Sequence, residues 1–349
     1  MPIYRCNQCG FVSEDALTPV NTTTACGRCG KPSMVYGTVF FVEELVKRLA
    51  NATRELNALR QSASVAPGAA NDTPGSSPTA MPAEAAAPDQ AAATPPAKLQ
   101  ANIQGLATEA QHAPLKAWFA ARQIEAQFEL SHVDTSGFFD DAALQLAGNY
   151  PLFAELIDRV RFAYRKSHSS LNLELANLAQ KDAQAITQLC RNLYEHTFFA
   201  RYHYQKPEKI VRLTLQSAPA VRQFFDGGWL EWLALMQLLA QAASHPGGVS
   251  CARSVKVLFP NEDLHELDVV ALPAARAPIV IECKSGEFRR DIDKYLRLRK
   301  RLGLARSHFI ICSAELSDEQ ANGLSAMYEL SFANLNTLPG QLQRLLGQE

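Results

Sequence analysis

The sequence has little net charge and no hydrophobic run long enough to cross a membrane. Its 349 residues carry 34 Lys and Arg against 35 Asp and Glu, a formal net charge of −1. The chain as a whole therefore does not attract nucleic acid, and binding of that kind must come from local basic patches. Because no signal peptide precedes the first cysteine, we expect a cytoplasmic protein without a membrane partner.

Several common catalytic motifs are also missing. The sequence contains no Gly-rich phosphate loop of the Walker type, no GxSxG elbow and no HExxH pair. ATPase and serine-hydrolase functions are therefore without support, and the eight histidines are expected to be structural or surface residues. With 47% hydrophobic content, the chain is long enough for two or three globular units.

Four of the eight cysteines form two CxxC pairs near the N-terminus, each followed by a glycine. Four thiolates at this spacing suit tetrahedral Zn²⁺, so residues 1–38 are predicted to be a zinc ribbon that contacts a protein partner or nucleic acid. The alternative is disulfide pairing, which a reducing cytoplasm disfavours. The four cysteines are Cys6, Cys9, Cys26 and Cys29. The other four, expected to be packing residues, are Cys190, Cys251, Cys283 and Cys312.

The ribbon is followed by a short helix and a linker. Residues 39–61 place apolar or small side chains alternately three and four apart, which predicts a coiled coil and favours a homodimer or higher homo-oligomer. The alternative is an amphipathic helix packed on the ribbon. Residues 62–97 are mostly Ala, Pro, Ser and Thr and are expected to form a flexible linker, because they cannot bury enough apolar surface to offset their ordering entropy.

Residues 98–220 are predicted to be a helical region that contains a winged helix over about 150–216. Helices are predicted at Pro151–Arg165, at Leu171–Leu178 and from Asp182 onward, followed by the strand-like runs FFARYHY and IVRLTL. In a winged helix the third helix usually enters the major groove. The alternative is the same fold used as a spacer or a dimerisation surface. The basic residues on this helix and hairpin are Arg191, Arg201, His203, Lys206, Lys209 and Arg212.

Two apolar strands near the C-terminus carry charged residues that need a chemical reason. HELDVVAL contains Asp268, and IVIECK contains Glu282 and Lys284. Charges in an apolar strand are costly to bury unless they are paired or bind a metal. Because side chains at i and i+2 share a face, Glu282 and Lys284 lie side by side, Cys283 points the other way, and strand pairing brings Asp268 to the same place. The alternative is an exposed, ion-paired hairpin.

This arrangement suits a divalent cation. Two carboxylates and the backbone carbonyl of Cys283 form part of an octahedral site for Mg²⁺ or Mn²⁺, and Lys284 is placed to assist an attacking water. These are the parts of metal-assisted phosphodiester hydrolysis. A helix predicted at Trp229–Ala242 has Glu231 in its first turn, bordering the buried side, from where it can aim at the metal. The alternative for Glu231 is solvation at the helix N-terminus, where the dipole favours a carboxylate.

The same residues resemble the PD-(D/E)xK nuclease superfamily, whose motif is an Asp ending one strand and Glu-x-Lys in the next. Asp268, Glu282 and Lys284 match this motif, and Glu231 matches the acidic residue on the first helix. The phrases GGWLEW, ELDVV and IECKSG resemble more particularly the nuclease domain of the CRISPR-associated cyclic-oligoadenylate-activated endonucleases. This resemblance covers about Phe224–Ser313. The sensor domain of that family has no counterpart in the sequence, so no oligoadenylate activator is implied.

The resemblance implies an α/β fold with a restriction-endonuclease-like αβββαβ core within 221–349. It implies a metal-dependent endonuclease acting on double-stranded DNA in preference to RNA, in defence against foreign DNA or, second, in repair. The implied catalytic residues are Glu231, Asp268, Glu282 and Lys284, with the ion on Asp268, Glu282 and the Cys283 carbonyl. The competing hypothesis is a non-catalytic DNA-binding or scaffold protein that uses an inactive nuclease fold.

The helix predicted at Arg289–Leu302 follows this motif directly and is rich in basic residues. A charge run of this sort is usually a solvated face, but its position makes contact with a phosphate backbone the alternative. The basic residues are Arg290, Lys294, Arg297, Arg299, Lys300 and Arg301.

Overall fold

The computed structural model describes residues 2–6, 11–15, 17–38, 106–134, 137–243, 248–260, 264–274 and 276–347. Helices and three β-sheets make it a mixed α/β structure, as the sequence predicts. None of the helices in these ranges combines the length and apolarity that a membrane span needs. The predicted coiled coil at 39–61 and the linker at 62–97 lie outside the described residues.

The N-terminal segment forms a small sheet of four short antiparallel strands in the order β2-β1-β4-β3. Its hydrophobic core is correspondingly small: among the described residues it consists of Tyr4, Val35 and two cysteines, with Phe11 packed against them. A core of this size cannot offset the entropy of ordering the segment, so an additional crosslink is needed for stability. The strands are β1 (Pro2–Arg5), β2 (Val12–Glu14), β3 (Thr23–Ala25) and β4 (Pro32–Gly37).

A six-stranded mixed sheet organises the rest of the chain, in the order β13-β12-β11-β10-β9-β5. The pairs β5–β9, β9–β10 and β10–β11 are antiparallel, whereas β11–β12 and β12–β13 are parallel. The β-branched run of β11 is buried on both faces, as is typical of a central strand. The strands are β5 (Glu125–Gln127), β9 (Val249–Leu258), β10 (Leu264–Pro273), β11 (Ile279–Lys284), β12 (Phe309–Ser313) and β13 (Ser331–Ala333).

Helices cover both faces of this sheet. Helix α6 (Trp229–Ala242) packs on one face, where Trp229 and Leu235 join a core with Ile281 of β11. On the other face lie α1 (Glu109–Ala120) and α7 (Ile292–Leu302). The order from α6 to β12 is helix, three strands, helix, strand, which is the element order expected for 221–349. The C-terminal helices are α8 (Asp318–Met327) and α9 (Leu338–Gly347).

The segment predicted to be a winged helix forms a three-stranded antiparallel sheet, β6-β8-β7, with two helices. The predicted helix at Leu171–Leu178 is wrong, because residues Ser170–Glu174 form strand β6. In SLNLEL the leucines alternate with polar residues, a period of two that favours a strand. The winged-helix assignment stays a prediction. The remaining elements are α2 (Phe139–Gly148), α3 (Tyr150–Arg165), α4 (Gln180–Glu195), β7 (Phe199–Gln205), β8 (Ile210–Leu215) and α5 (Pro219–Gln223).

Two further differences concern short edge strands. Within the region 98–220, which was predicted to be helical, Glu125–Gln127 is a strand that pairs with β9 at one edge of the large sheet. At the other edge, Ser331–Ala333 pairs with β12 and adds a strand that the expected αβββαβ order does not include. The boundary predicted between residues 220 and 221 falls within one hydrophobic core, because that core contains residues from both sides, such as Val160 and Leu233.

Candidate active site

Asp268 lies where strands β10 and β11 separate. Val269 of β10 is paired with Ile281 of β11, whereas Asp268, the residue before Val269, has no partner in this ladder. Here the Asp268 side chain, and not its backbone, bonds to β11. Its Oδ2 accepts a hydrogen bond of 2.7 Å from the backbone N–H of Cys283. The carboxylate thus satisfies a main-chain donor that the opening ladder leaves without a strand partner. This bond fixes Asp268 beside the Glu282–Lys284 segment.

Lys284 joins the two acidic residues of the motif. Its Nζ lies 3.1 Å from Asp268 Oδ2 and 3.1 Å from Glu282 Oε2. The two carboxylate oxygens cannot be farther apart than twice that distance. On its other side the ammonium lies 5.4 Å from the centre of the Tyr295 ring, a cation–π contact. The structure therefore brings Asp268, Glu282 and Lys284 to one place, as the strand pattern predicts.

Burial shapes the charges of this cluster. Glu282 is only 2% exposed, and its burial, with the nearby charge of Asp268, raises the pKa of its carboxyl to about 8 even though Lys284 opposes the shift. Burial by itself would lower the pKa of Lys284. The charges of Glu282 and Asp268 outweigh that effect and raise the Lys284 pKa well above its ordinary value. Lys284 is therefore a permanent cation in this setting.

One oxygen of Glu282 remains unsatisfied. Glu282 Oε1 is buried and has no hydrogen-bond partner within the described part of the chain. Leaving a buried acceptor without a partner costs about 1–3 kcal/mol, and more for a charged group. Buried carboxylates are usually paired or coordinate metals, and carboxylate oxygens are the donors that Mg²⁺ prefers. The donor set of Asp268 and Glu282 thus fits a divalent cation.

Glu231 lies in the first turn of α6 and is held from the sheet. Its Oε2 accepts hydrogen bonds from Arg253 Nη1 at 2.6 Å and from Ser254 Oγ at 3.2 Å. Burial and the charge of Asp268 raise the pKa of Glu231 to about 7, and Arg253 opposes this shift. In the described residues Glu231, Asp268 and Glu282 do not form a trio whose carboxylate oxygens all lie within 4.8 Å of one another. Glu231 therefore borders the cluster.

Arg253 is a site residue that sequence reasoning missed. It is 8% exposed, its Nε donates to the carbonyl of His132 at 2.8 Å, and its guanidinium lies 4.5 Å from the Trp232 ring centre. These contacts hold the guanidinium beside Glu231. An available signal was a charged residue inside the apolar run SCARSVKVLF. In the structure this run forms β9, which begins at Val249 and contains Arg253.

A cavity of about 350 Å³ opens in front of Asp268, Lys284 and Glu231. Its lining includes Arg161 from α3, whose Nη1 donates to the carbonyl of Ser285 at 2.9 Å. Arg161 and Lys284 are the basic side chains among the residues that line the cavity. No sequence pattern marked Arg161, because it comes from a helix far from the motif in the chain. The acidic residues of the lining are Asp226, Glu231, Asp268 and Glu287.

The Cys283 side chain lies on the opposite face of the sheet from Glu282. Its Sγ is 3.6 Å from the carbonyl of Leu230 in α6, as the alternation of strand side chains predicts. Cys190, Cys251 and Cys312 are fully buried, and burial raises the pKa of each thiol to about 12. These cysteines are packing residues, as expected.

Three of the four ribbon cysteines converge. The sulfur atoms of Cys6, Cys26 and Cys29 all lie within 4.8 Å of one another and can hold a metal ion. Cys6 Sγ and Cys29 Sγ are 3.5 Å apart, far longer than the about 2.05 Å of a disulfide. The backbone N–H of Arg28 points at Cys26 Sγ from 3.4 Å, and Gly30 adopts φ +70°, a conformation that favours glycine. Cys9 lies outside the described residues.

Comparisons with known proteins leave the family of this chain open. No protein-family model and no curated protein matches it. Solved structures with a similar arrangement include Can2 from Sulfobacillus thermosulfidooxidans in complex with cyclic tetra-adenylate, at a TM-score of 0.48 and 16% identity. Protein VC1899 from Vibrio cholerae is similar at a TM-score of 0.45 and 19% identity. Each match covers 66% of this chain and 60% of the other. Similarities of this size assign no activity.

Proposed function

We propose that this protein is a metal-dependent endonuclease that hydrolyses phosphodiester bonds of nucleic acid, with DNA favoured over RNA. The observation that carries the proposal is the cluster at the β10–β11 opening. There one ammonium lies 3.1 Å from two carboxylates, and a buried oxygen of Glu282 has no partner among the described residues. A purely structural ion pair does not require a buried carboxylate oxygen to be left unsatisfied next to side chains, Asp268 and Lys284, that line a cavity.

The residues that would hold the ion are Asp268, Glu282 and the backbone carbonyl of Cys283. Mg²⁺ or Mn²⁺ bound there supplies Lewis acidity toward a phosphoryl oxygen and lowers the pKa of bound water. Three hard oxygen donors leave room for water and substrate ligands, which suits Mg²⁺ because it dehydrates reluctantly. The buried Glu282 carboxyl, whose pKa burial raises, is stabilised as an anion by such a positive charge.

The cations of the site have the roles of binding and orienting. Lys284 and Arg161 line the same cavity, so a phosphodiester group entering it meets an ammonium and a guanidinium. Lys284 keeps its proton, because Glu282 and Asp268 raise its pKa, so it acts by donating a hydrogen bond and by charge. In this proposal Lys284 orients the attacking water and Arg161 holds a non-bridging phosphate oxygen.

Glu231 acts from the border of the cluster. Its ion pair with Arg253 and its bond from Ser254 fix the carboxylate facing the cavity. From there it would hold the ion through a water molecule, because it lies at the border of the cluster and not within it. Arg253 is then a positioning residue, because it acts on the site only through Glu231.

Plasmid cleavage tests the proposal. Purified protein with Mg²⁺ or Mn²⁺ is expected to nick or linearise supercoiled plasmid, and EDTA should stop it. Glu282→Gln and Lys284→Met should each lower the cleavage rate at least about 100-fold, because they remove an ion ligand or the orienting cation. Glu287→Gln is the matched control, since Glu287 lines the same cavity but is exposed and pairs with Arg289. Cleavage that survives in both site variants would exclude this cluster as the active site.

The proposal extends to the other parts of the chain. Zn²⁺ held by Cys6, Cys9, Cys26 and Cys29 would supply the crosslink that the small ribbon core needs. Self-association through residues 39–61 would pair two active sites on one duplex, as cutting both strands requires. The biological setting that we favour is defence against foreign DNA, with repair second, and both rest on the resemblance in the sequence.

A further inference from the structure

Helix α7 carries a row of basic residues on the side that faces away from the core. Its inner side packs Ile292, Tyr295 and Leu298 against the sheet. The exposed basic residues follow spacings of four, three and four along the chain, which places them on one side of a helix. We call Arg290, which lies in the 3₁₀ turn leading into α7, and Lys294, Arg297 and Arg301 of α7 the basic stripe.

Three of the four cations of the stripe take part in no ion pair within the described ranges. Among the ion pairs of the described residues, the neighbouring cations Arg289 and Arg299 are paired with Glu287 and Glu329. None of those ion pairs involves Arg290, Lys294 or Arg297. Acidic residues of this segment, Asp291 and Asp293, lie at the start of the helix, where the dipole favours a negative charge. They leave the rest of the exposed side basic.

Lys294 brings the stripe close to the candidate active site. Lys294 Nζ lies 5.9 Å from the Tyr295 ring centre, and Lys284 Nζ lies 5.4 Å from the same centre. The charge of Lys294 also acts on the Glu282 carboxyl, whose pKa responds first to burial, Asp268 and Lys284. From Lys294 the stripe runs away from the site to Arg301, which lies over the Phe259 ring at 5.3 Å.

The length of the stripe fits several phosphates. At about 1.5 Å per residue, the span from Arg290 to Arg301 is about 16 Å. One strand of duplex DNA presents a phosphate about every 3.4 Å along the axis, so the stripe extends along about five phosphates. By contrast, two basic residues of the predicted winged helix are already engaged, because Arg191 pairs with Glu195 and Arg212 donates to Gln205.

From this geometry we infer that the basic stripe binds the phosphate backbone of the nucleic acid and leads it into the cavity. The inference rests on the proposed nuclease function, whose substrate it places on a specific surface. Recognition by Lys and Arg side chains along a backbone is independent of base sequence, since phosphate contacts carry no sequence information directly. The affinity for nucleic acid should therefore fall steeply as the salt concentration rises, because neutralised phosphates release counterions.

Salt-dependent binding tests the inference. All variants carry Glu282→Gln, so that the probe, a fluorescent 20-base-pair duplex without added divalent metal, stays intact. Lys294→Gln, Arg297→Gln and Arg301→Gln are combined, and binding is measured between about 50 and 200 mM NaCl. Each lost contact should reduce the slope of log K against log salt by about 0.9, so the triple variant should lose about 2–3.

The matched control removes the same charge elsewhere. Arg122→Gln, Arg306→Gln and Arg344→Gln alter three exposed basic residues that lie outside both the stripe and the predicted winged helix and should change the slope by less than about one. A second arm combines Arg191→Gln, Lys206→Gln and Arg212→Gln. Equal losses in all three triple variants, or a loss confined to the second arm, would overturn the inference.

The nuclease proposal and the binding surface can be contradicted independently. Wild-type protein that binds the duplex through the stripe but never cuts plasmid would contradict the nuclease proposal and leave the surface in place. Conversely, wild-type cleavage of plasmid together with an unchanged salt slope in the stripe variant would retain the enzyme and contradict the surface.

Discussion

The turn that precedes α6 offers a sharp test of how the site is built. Gly227 has φ +138°, a conformation that L-residues rarely adopt, and a Cβ placed on it would lie 2.9 Å from Ser285 Oγ. Ser285 directly follows Lys284 in the chain. Gly227→Ala therefore adds two penalties next to the proposed active site, a backbone strain and a steric contact.

The two penalties differ in size. A non-glycine residue in a sparsely populated φ/ψ region costs about 1–3 kcal/mol. The Ser285 hydroxyl can turn away by rotating one bond, so the contact adds about 1 kcal/mol or less. We expect Gly227→Ala to lower the free energy of unfolding by about 2–3 kcal/mol, with the backbone as the larger part. The double variant with Ser285→Ala should recover less than about half of that loss.

Urea unfolding followed by tryptophan fluorescence measures both effects, because Trp229 and Trp232 follow Gly227 closely and are buried. Gly286→Ala is the control: Gly286 lines the same cavity, and a Cβ there meets nothing within 4 Å. This variant should stay within about 0.5 kcal/mol of wild type. The reasoning is refuted if Gly227→Ala is as stable as Gly286→Ala, or if Ser285→Ala restores all of the lost stability.

Two further predictions concern the cavity and the ribbon. Arg161→Gln should lower the single-turnover cleavage rate at least about tenfold, about 1.4 kcal/mol of transition-state stabilisation. Arg159→Gln, on the same helix, removes a cation that pairs with Glu155 and should leave the cleavage rate unchanged. Equal cleavage rates in the two variants would show that Arg161 is not part of the site. Cys26→Ser should reduce bound zinc, measured by elemental analysis, from about one ion per chain to almost none. A variant that retains one equivalent would contradict the four-cysteine assignment.

Local patterns predicted the elements whose hydrophobic periodicity is strong. The apolar periodicity of α6 predicted both ends of the helix correctly, and the apolar run of β11 was long enough to be recognised as a buried strand. Leu171–Leu178 failed because its leucines fit two periods in a short segment. The edge strands Glu125–Gln127 and Ser331–Ala333 are only three residues long and exist through pairing with β9 and β12. Such tertiary pairing leaves no local pattern.

The site was predictable to the extent that its residues are close in the chain. Glu282 and Lys284 share a face through the two-residue period of a strand, and the neighbouring strand β10 places Asp268 beside them. Arg161 and Arg253 were not predicted. Arg161 reaches the cavity only because α3 packs beside the loop after Lys284, and Arg253 is satisfied by partners far apart in sequence, Glu231 and the His132 carbonyl.

The direct test of the central claim is a crystal structure of the full chain soaked in Mn²⁺, with anomalous scattering used to locate the ion. The account predicts one anomalous peak bounded by Asp268, Glu282 and the carbonyl of Cys283, at metal–oxygen distances of about 2.0–2.3 Å, and no peak there in Glu282→Gln. A wild-type crystal that shows Mn²⁺ elsewhere and nothing between these two carboxylates would contradict it.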